Sequence, residues 1–209
     1  MTSEIAAILL AAGESRRMGQ PKLLLPWGET TVLGQVVSMF SAGLASQTAL
    51  PIDPDNEILV VTGGARTMVE AEIARLAERY PLRIVYNPNY KLGGMLSSIQ
   101  SGLVALGPGT RAALIGLGDQ PQVREETVRH ICAAYARTKS PILIPSFQSR
   151  RGHPWLAIKV LWPEILALPP SSSPRQFLDA HAGQIEYIAA DETILQDLDT
   201  PEDYHRQRP

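Results

Sequence analysis

Lys22, Arg17 and Asp119 are the residues whose types and surroundings could do chemistry, and that chemistry would be handling of phosphates. The first two lie in Leu9-Leu10-Ala11-Ala12-Gly13-Glu14-Ser15-Arg16-Arg17-Met18-Gly19-Gln20-Pro21-Lys22. A glycine-rich turn after a buried strand points backbone N–H groups at one spot, where an anion can sit. Arg16, Arg17 and Lys22 add mobile positive charge, and Pro21 stiffens the chain ahead of the lysine. Gly-Lys adjacency before Ser or Thr is missing, so this is not a Walker A loop, and no G-x-G-x-x-G is present. The bland alternative is a solvated loop with ordinary surface cations.

Asp119 follows an apolar run in Leu117-Gly118-Asp119-Gln120-Pro121, where a carboxylate would face the same crevice as the loop. Mg²⁺ takes one or two carboxylates together with phosphate oxygens and waters, which suits Asp119. A turn or cap aspartate is the competing reading. A second acid could come from Gln196-Asp197-Leu198-Asp199-Thr200-Pro201-Glu202-Asp203, where Asp197 and Asp199 face one way on an extended chain. Capping and surface roles are equally open to these acids. Gly93-Gly94-Met95-Leu96-Ser97-Ser98 could offer amides and hydroxyls to a phosphate, ribose or base, or simply cap a helix. In Arg151-Gly152-His153-Pro154, the arginine and histidine could touch a second substrate. His130, His181 and His205 read as surface or helix residues. There is no zinc spacing and no G-x-S-x-G elbow.

Strand and helix patterns alternate, which predicts an α/β fold with a mainly parallel sheet. Strands are expected at 5–10, 58–61, 83–86, 112–117 and 142–144, and helices at 31–44, 67–80, 96–106 and 125–137. Ligands of such sheets bind at the carboxyl ends of strands, and the polar signals above fall there. Past Pro145 the rhythm gives way to Pro, Ser and short apolar pieces, read as completing the site without a second core. Residues 46–56, with Pro51 and Pro54, read as a surface insertion. Thr200 as N-cap, Pro201 at the first helical position and Asp203 reaching back predict a last helix.

The chain has 209 residues, which suits one domain, and a net charge of -2, which argues against nucleic acid as a main partner. No run approaches the ~20 apolar residues of a membrane span. The single Cys132 forms no internal disulfide, reads as a core residue and fits a reducing cytoplasm.

The pattern Leu10-Ala11-Ala12-Gly13-x-Ser15-x-Arg17-Met18-Gly19-x-Pro21-Lys22 resembles the signature of the MobA-like nucleotidyltransferases. Gly118-Asp119-Gln120-Pro121, Arg151-Gly152-His153-Pro154 and Asp197-Leu198-Asp199-Thr200-Pro201-Glu202-Asp203 are similar to the subgroup that includes molybdenum cofactor cytidylyltransferase. The resemblance implies a Rossmann-like nucleotidyltransferase fold, a three-layer α/β/α arrangement over 1–209, with a nucleotide-binding part (1–145) and an acceptor-binding, metal-completing part (146–209). It implies that Leu10, Ala11, Ala12 and Gly13 contact the nucleotide, with Asn87 and Ser97 at plausible further contacts. It implies that Lys22 and Arg17 hold phosphates, that Asp119 and Asp199 hold Mg²⁺, and that Arg151 and His153 meet the acceptor. The expected reaction moves CMP from CTP to the phosphate of molybdopterin, serving a molybdoenzyme client. Ala11-Ala12-Gly13 favours CTP over GTP by the same analogy. Rivals are a transferase using GTP or a sugar or alcohol phosphate, an NAD(P)H-dependent oxidoreductase, and a non-enzymatic cofactor chaperone.

Overall fold

The structure, a computed structural model, describes residues 4–45 and 57–209; the insertion read at 46–56 lies outside them. In chain order the elements are β1 (Ile5–Ala11), β2 (Pro26–Trp27), β3 (Thr30–Thr31), α1 (Val32–Ala45), β4 (Ile58–Thr62), α2 (Arg66–Leu76), β5 (Leu82–Tyr86) and α3 (Tyr90–Ala105). There follow β6 (Ala112–Leu117), α4 (Glu125–Thr138), β7 (Ile142–Phe147), β8 (Arg150–Arg151), β9 (Trp155–Ile158), α5 (Trp162–Ala167), α6 (Pro174–Ala180), β10 (Ile185–Ala189) and α7 (Pro201–Gln207).

The main sheet runs β10-β7-β9-β6-β1-β4-β5, with β8 paired to β7. The β6-β1-β4-β5 block is parallel, as is β10 with β7. Strand β1 is buried on both faces, so it reads as an unbroken apolar run with no alternation. Ala7, Leu9 and Ala11 face one core with α1, α2 and α4 residues such as Phe40, Ile73 and Ile131. Ile8 faces the other with α3, α5 and α6 residues such as Ile99, Ile165 and Phe177. Helices on both faces of a mostly parallel sheet give the expected layered architecture. No helix among the described residues is long and apolar enough to cross a membrane.

Helices α5 and α6 and strand β10 are elements that the sequence expectation did not place, and three further differences bear on the site. Helix α2 ends at Leu76 instead of residue 80. Helix α3 starts at Tyr90, six residues before the predicted 96, because Gly94 adopts φ +52 and lets two helical pieces join across a kink. The third is β9. After β7 the chain reverses through Gln148 and Ser149, both at positive φ, and Trp155–Ile158 inserts antiparallel between β6 and β7. The short apolar piece at 155–158 is therefore a central strand of the same sheet, with Trp155, Leu156 and Ala157 buried.

Close packing leaves little slack near the site. Gly116 on β6 lies against the Phe40 ring, and a Cβ there would overlap it. Gly116→Val is expected to destabilise the fold by ~1–3 kcal/mol through overpacking, read as a lower urea midpoint; an unchanged midpoint would mean that Phe40 yields freely.

Candidate active site

The loop after β1 is shaped by two left-handed residues and two apolar anchors. Ser15 (φ 52) and Gly19 (φ 65) bracket a 3-10 turn at Arg16–Met18, and a second such turn covers Lys22–Leu24. Met18 and Leu23 are buried in the core and pin the loop from below. The Lys22 backbone N–H donates to Ser15 Oγ at 3.1 Å, closing the loop on itself. Gly13 has open space where a Cβ would stand, which leaves room for a ligand to approach the backbone.

Lys22 is the centre of the site. Its Nζ makes an ion pair with Asp119 at the end of β6 and another with Asp199, at 3.3 Å. Arg17 reaches Asp199 from the other side at 3.2 Å. Arg16 turns away to Glu14. Partial burial pulls the Lys22 ammonium toward neutrality, but Asp119 and then Asp199 outweigh it and hold the lysine above its ordinary pKa. The ammonium stays charged at neutral pH, between two carboxylates, one from the middle of the chain and one from near its end.

A cavity of about 360 Å³ is lined by Leu10, Ala11, Gly13, Arg17, Lys22, Asp119 and Asp199. It adjoins one of about 260 Å³ that shares Leu10, Gly13 and Asp119 and adds Ala12, Tyr90, Met95 and Ser98. A third, about 920 Å³, shares Met95 and carries Arg150, Arg151, His153, Arg175 and Tyr187. The first two adjoin at the carboxyl ends of β1 and β6, and the third meets the second at Met95. Leu10, Ala11, Ala12, Gly13, Arg17, Lys22, Asp119 and Asp199 thus come together, and Arg151 and His153 line the neighbouring chamber.

Asn87 and Ser97, expected as further nucleotide contacts, are not among the residues that line these three cavities. Asn87 is fully buried. Its Nδ2 donates to Ser97 Oγ at 2.9 Å and Ser98 Oγ at 3.0 Å, and its Oδ1 accepts from the Asn89 N–H at 2.9 Å. Ser97 Oγ in turn donates to Gly94 O at 3.0 Å. Their hydrogen-bonding capacity is used in fixing the start of α3 against β5, so they brace the wall that Tyr90, Met95 and Ser98 present. The sequence reading did not single out Tyr90, which the fold brings against Gly63, where any Cβ would collide with its ring.

Asp197 and Asp199 part company. Leu198 between them is fully buried. Asp199 joins Lys22 and Arg17, while Asp197 Oδ1 accepts from Gln120 Nε2 at 2.7 Å. Partial burial raises the Asp197 carboxyl above the usual aspartate range, with Asp119 and Asp199 adding to it and Gln120 opposing. Thr200 and Asp203 form the reciprocal cap expected of them at the start of α7. Cys132 is buried, and burial pushes its thiol up to about 12, which leaves it inert.

In the larger chamber Arg151 is aimed by Asp179 at 2.6 Å and by the Tyr187 hydroxyl at 3.0 Å. Burial lowers the His153 imidazole from 6.5 to about 4, against an upward pull from Asp119. The ring is neutral at pH 7. An unfolded histidine takes up its proton near pH 6.5 and the folded one only near 4, so this residue's contribution to stability is full above pH 6.5 and falls as the pH drops through that window. His153→Gln should flatten the loss of stability between about pH 7 and about pH 5; urea midpoints at the two pH values test this, and an unchanged difference would discard it.

Among the described residues no group of three or more His, Cys, Asp or Glu side chains converges on a metal position. Asp119 and Asp199 do converge on one cation, the Lys22 ammonium. Two hard carboxylates, with the remaining ligands supplied by phosphates and water, is the donor set that suits Mg²⁺.

Residues 7–185 match the MobA-like NTP transferase domain family. The chain is 28% identical to the molybdenum cofactor cytidylyltransferase of Escherichia coli K12, over 97% of this chain and 94% of that one. Its structure is similar to that of a nucleotidyl transferase from Methanothermobacter, with TM-score 0.76, 27% identity and coverage of 98% and 96% of the two chains. It is also similar to Rv0371c of Mycobacterium tuberculosis H37Rv in complex with manganese, with TM-score 0.71, 26% identity and coverage of 99% and 98%.

Proposed function

The chain belongs to the MobA-like NTP transferase family, a family of nucleotidyltransferases, and from that premise we propose that it moves CMP from CTP to the phosphate of molybdopterin with release of pyrophosphate. The observation that carries this reading is the meeting of Lys22, Asp119, Asp199 and Arg17 in one cavity, with an arginine-lined chamber beyond the adjoining cavity that Met95 walls. The first part of that surface suits a triphosphate and the second an anionic, ring-bearing acceptor. Similarity to a cytidylyltransferase supports the choice of CTP and molybdopterin within that frame.

In the proposed reaction an acceptor phosphate oxygen attacks the α-phosphorus of the nucleotide. A new P–O bond forms, the bond to the β-phosphate bridging oxygen breaks, and its electron pair leaves with pyrophosphate. The acceptor phosphate is already anionic at neutral pH, so no protein base is needed. Lys22 and Arg17 draw the triphosphate charge toward the loop and offset what develops on the leaving group. The backbone around Gly13 receives the nucleoside, with Leu10, Ala11 and Ala12 forming its floor. Arg151, preset by Asp179 and Tyr187, pairs with the acceptor anion, and neutral His153 offers it a hydrogen bond. Holding both reactants in line turns a two-body encounter into a local one. Asp119 and Asp199 would hold Mg²⁺, which when bound supplies charge neutralisation at the phosphates. In this reading residues 1–145 serve the nucleotide and 146–209 bind the acceptor and complete the metal site that Asp119 begins, in a cytoplasmic protein that passes its product to a molybdoenzyme.

Calorimetric titration with CTP, GTP, ATP and NADPH, with and without Mg²⁺, tests this directly. The expected result is Mg²⁺-dependent binding of CTP above the others. Preference for GTP would keep the chemistry and change the base, and binding of NADPH alone would overturn the transferase reading. Arg151→Ala is expected to raise the acceptor KM about tenfold or more, as for loss of one charge-assisted contact, with nucleotide affinity unchanged. Loss of nucleotide affinity in that variant would move Arg151 out of the acceptor chamber's role.

A further inference from the structure

Asp199, one of the two carboxylates that meet Lys22, sits on backbone that belongs to no strand or helix, between the 3-10 turn Glu192–Leu195 and α7. Something must hold it opposite Asp119. The segment immediately after Asp119 does so. Gln120, itself 3% exposed, donates from Nε2 to Asp197 Oδ1 at 2.7 Å. Gln122 donates from Nε2 to the Gln196 carbonyl. From α7, Gln207 Nε2 reaches the Asp197 carbonyl at 3.5 Å. All three glutamines direct their amide N–H groups at residues 196 and 197, and the buried carbonyl oxygen of each goes without a partner. A buried amide that leaves its oxygen unpaired is costly, so the placement of these donors is set by the segment that they hold. Leu198, fully buried between Asp197 and Asp199, adds an apolar anchor.

We propose that Gln120 and Asp197 are a positioning pair: their hydrogen bond ties the end of β6 to the chain before α7, keeps Asp199 within reach of the cation that Asp119 also meets, and so sets the affinity of the site for a divalent cation. The proposal rests on the reading that Asp119 and Asp199 share that cation. Asp197 acts in it as a hydrogen-bond acceptor and not as a ligand. Its carboxylate is spent on Gln120, whereas Asp199 faces Lys22 and Arg17. Partners that orient metal ligands typically change metal affinity 10–100-fold when removed.

The test is titration of Mn²⁺ alone into the full chain, with the free ion read by electron paramagnetic resonance. Asp197→Ala and Gln120→Ala are each expected to weaken Mn²⁺ binding about tenfold. Asp197→Asn keeps an oxygen that can accept from Gln120, and should stay within about threefold of the native chain. The double variant should be no weaker than the weaker single, since both remove one bond. Native affinity in Asp197→Ala overturns the proposal, as does an Asp197→Asn variant as weak as Asp197→Ala, which would make the charge the active property. Additive losses in the double variant overturn it too. Asp199→Ala separates this failure from failure of the underlying reading: if it binds Mn²⁺ like the native chain, the cation site itself is misassigned. Thermal melts accompany each variant; should the buried Gln120→Ala fail to fold, the Asp197 series decides alone.

Discussion

Asp119→Ala is expected to lower kcat/KM by roughly 10²-fold or more, the usual scale for removing one preorganised electrostatic group from a transfer site. Its Oδ2 is one of two carboxylate contacts to Lys22, and its side chain is only 21% exposed at the floor of the cleft. Position follows from the sheet: β6 pairs with β1 from Ile5↔Ala112 to Leu10↔Leu117, so Asp119 and the loop after β1 must emerge side by side. Without it, Lys22 keeps Asp199 alone, and the nucleotide should lose the Mg²⁺-dependent part of its binding. Steady-state kinetics and calorimetry with and without Mg²⁺ measure both effects. The fold should survive, because Asp119 bridges to a flexible side chain and not to the core. Turnover near the native rate in a folded Asp119→Ala protein would sink the assignment of this cleft as the reaction site.

Lys22→Met should show two effects of opposite sign. Catalysis should fall roughly 10²-fold or more, since the side chain proposed to meet the triphosphate loses its charge. Binding of Mn²⁺ alone should strengthen, by about tenfold. The ammonium that now occupies the space between Asp119 and Asp199 neutralises both acids, and a divalent ion entering the native chain must displace it. Removing it leaves two carboxylates without the cation that both contact, a like-charge arrangement that an added cation relieves. The same variant should therefore melt at a lower temperature without metal and recover when Mn²⁺ is added, as binding to the folded state requires. Paramagnetic resonance of free Mn²⁺ and thermal melts read these changes. Weaker Mn²⁺ binding in Lys22→Met would show that the lysine helps to build the cation site and does not stand in for its occupant.

Much of this site is legible in short windows of sequence. The apolar run that makes β1, the glycines and Pro21 that shape the loop, the Lys22 and Arg17 charges within it, and the Thr200–Asp203 cap are all written within a turn or two of chain. Local φ/ψ limits, burial of a two-faced strand and capping geometry act over that range. Asp119 was legible because a carboxylate at the end of a buried parallel strand has one direction in which to point.

Other features depend on partners remote in sequence. The tetrad 155–158 became a central antiparallel strand because β6 and β7 left a gap that four apolar residues fill, and nothing local to it distinguishes a strand of that length from a loop. Asn87 and Ser97 carry side chains suited to a ligand, yet they spend them on each other beneath the wall. Asp197 and Asp199 are equivalent by spacing. The choice between them was made by Gln120, 77 residues away from Asp197, and by Lys22, 177 residues away from Asp199. Periodicity, capping and turn chemistry are properties of the chain's nearest neighbours, so residue order carries them; which of two identical acids meets a lysine is settled only when long-range pairing and the burial of Leu198 bring the ends of the chain together.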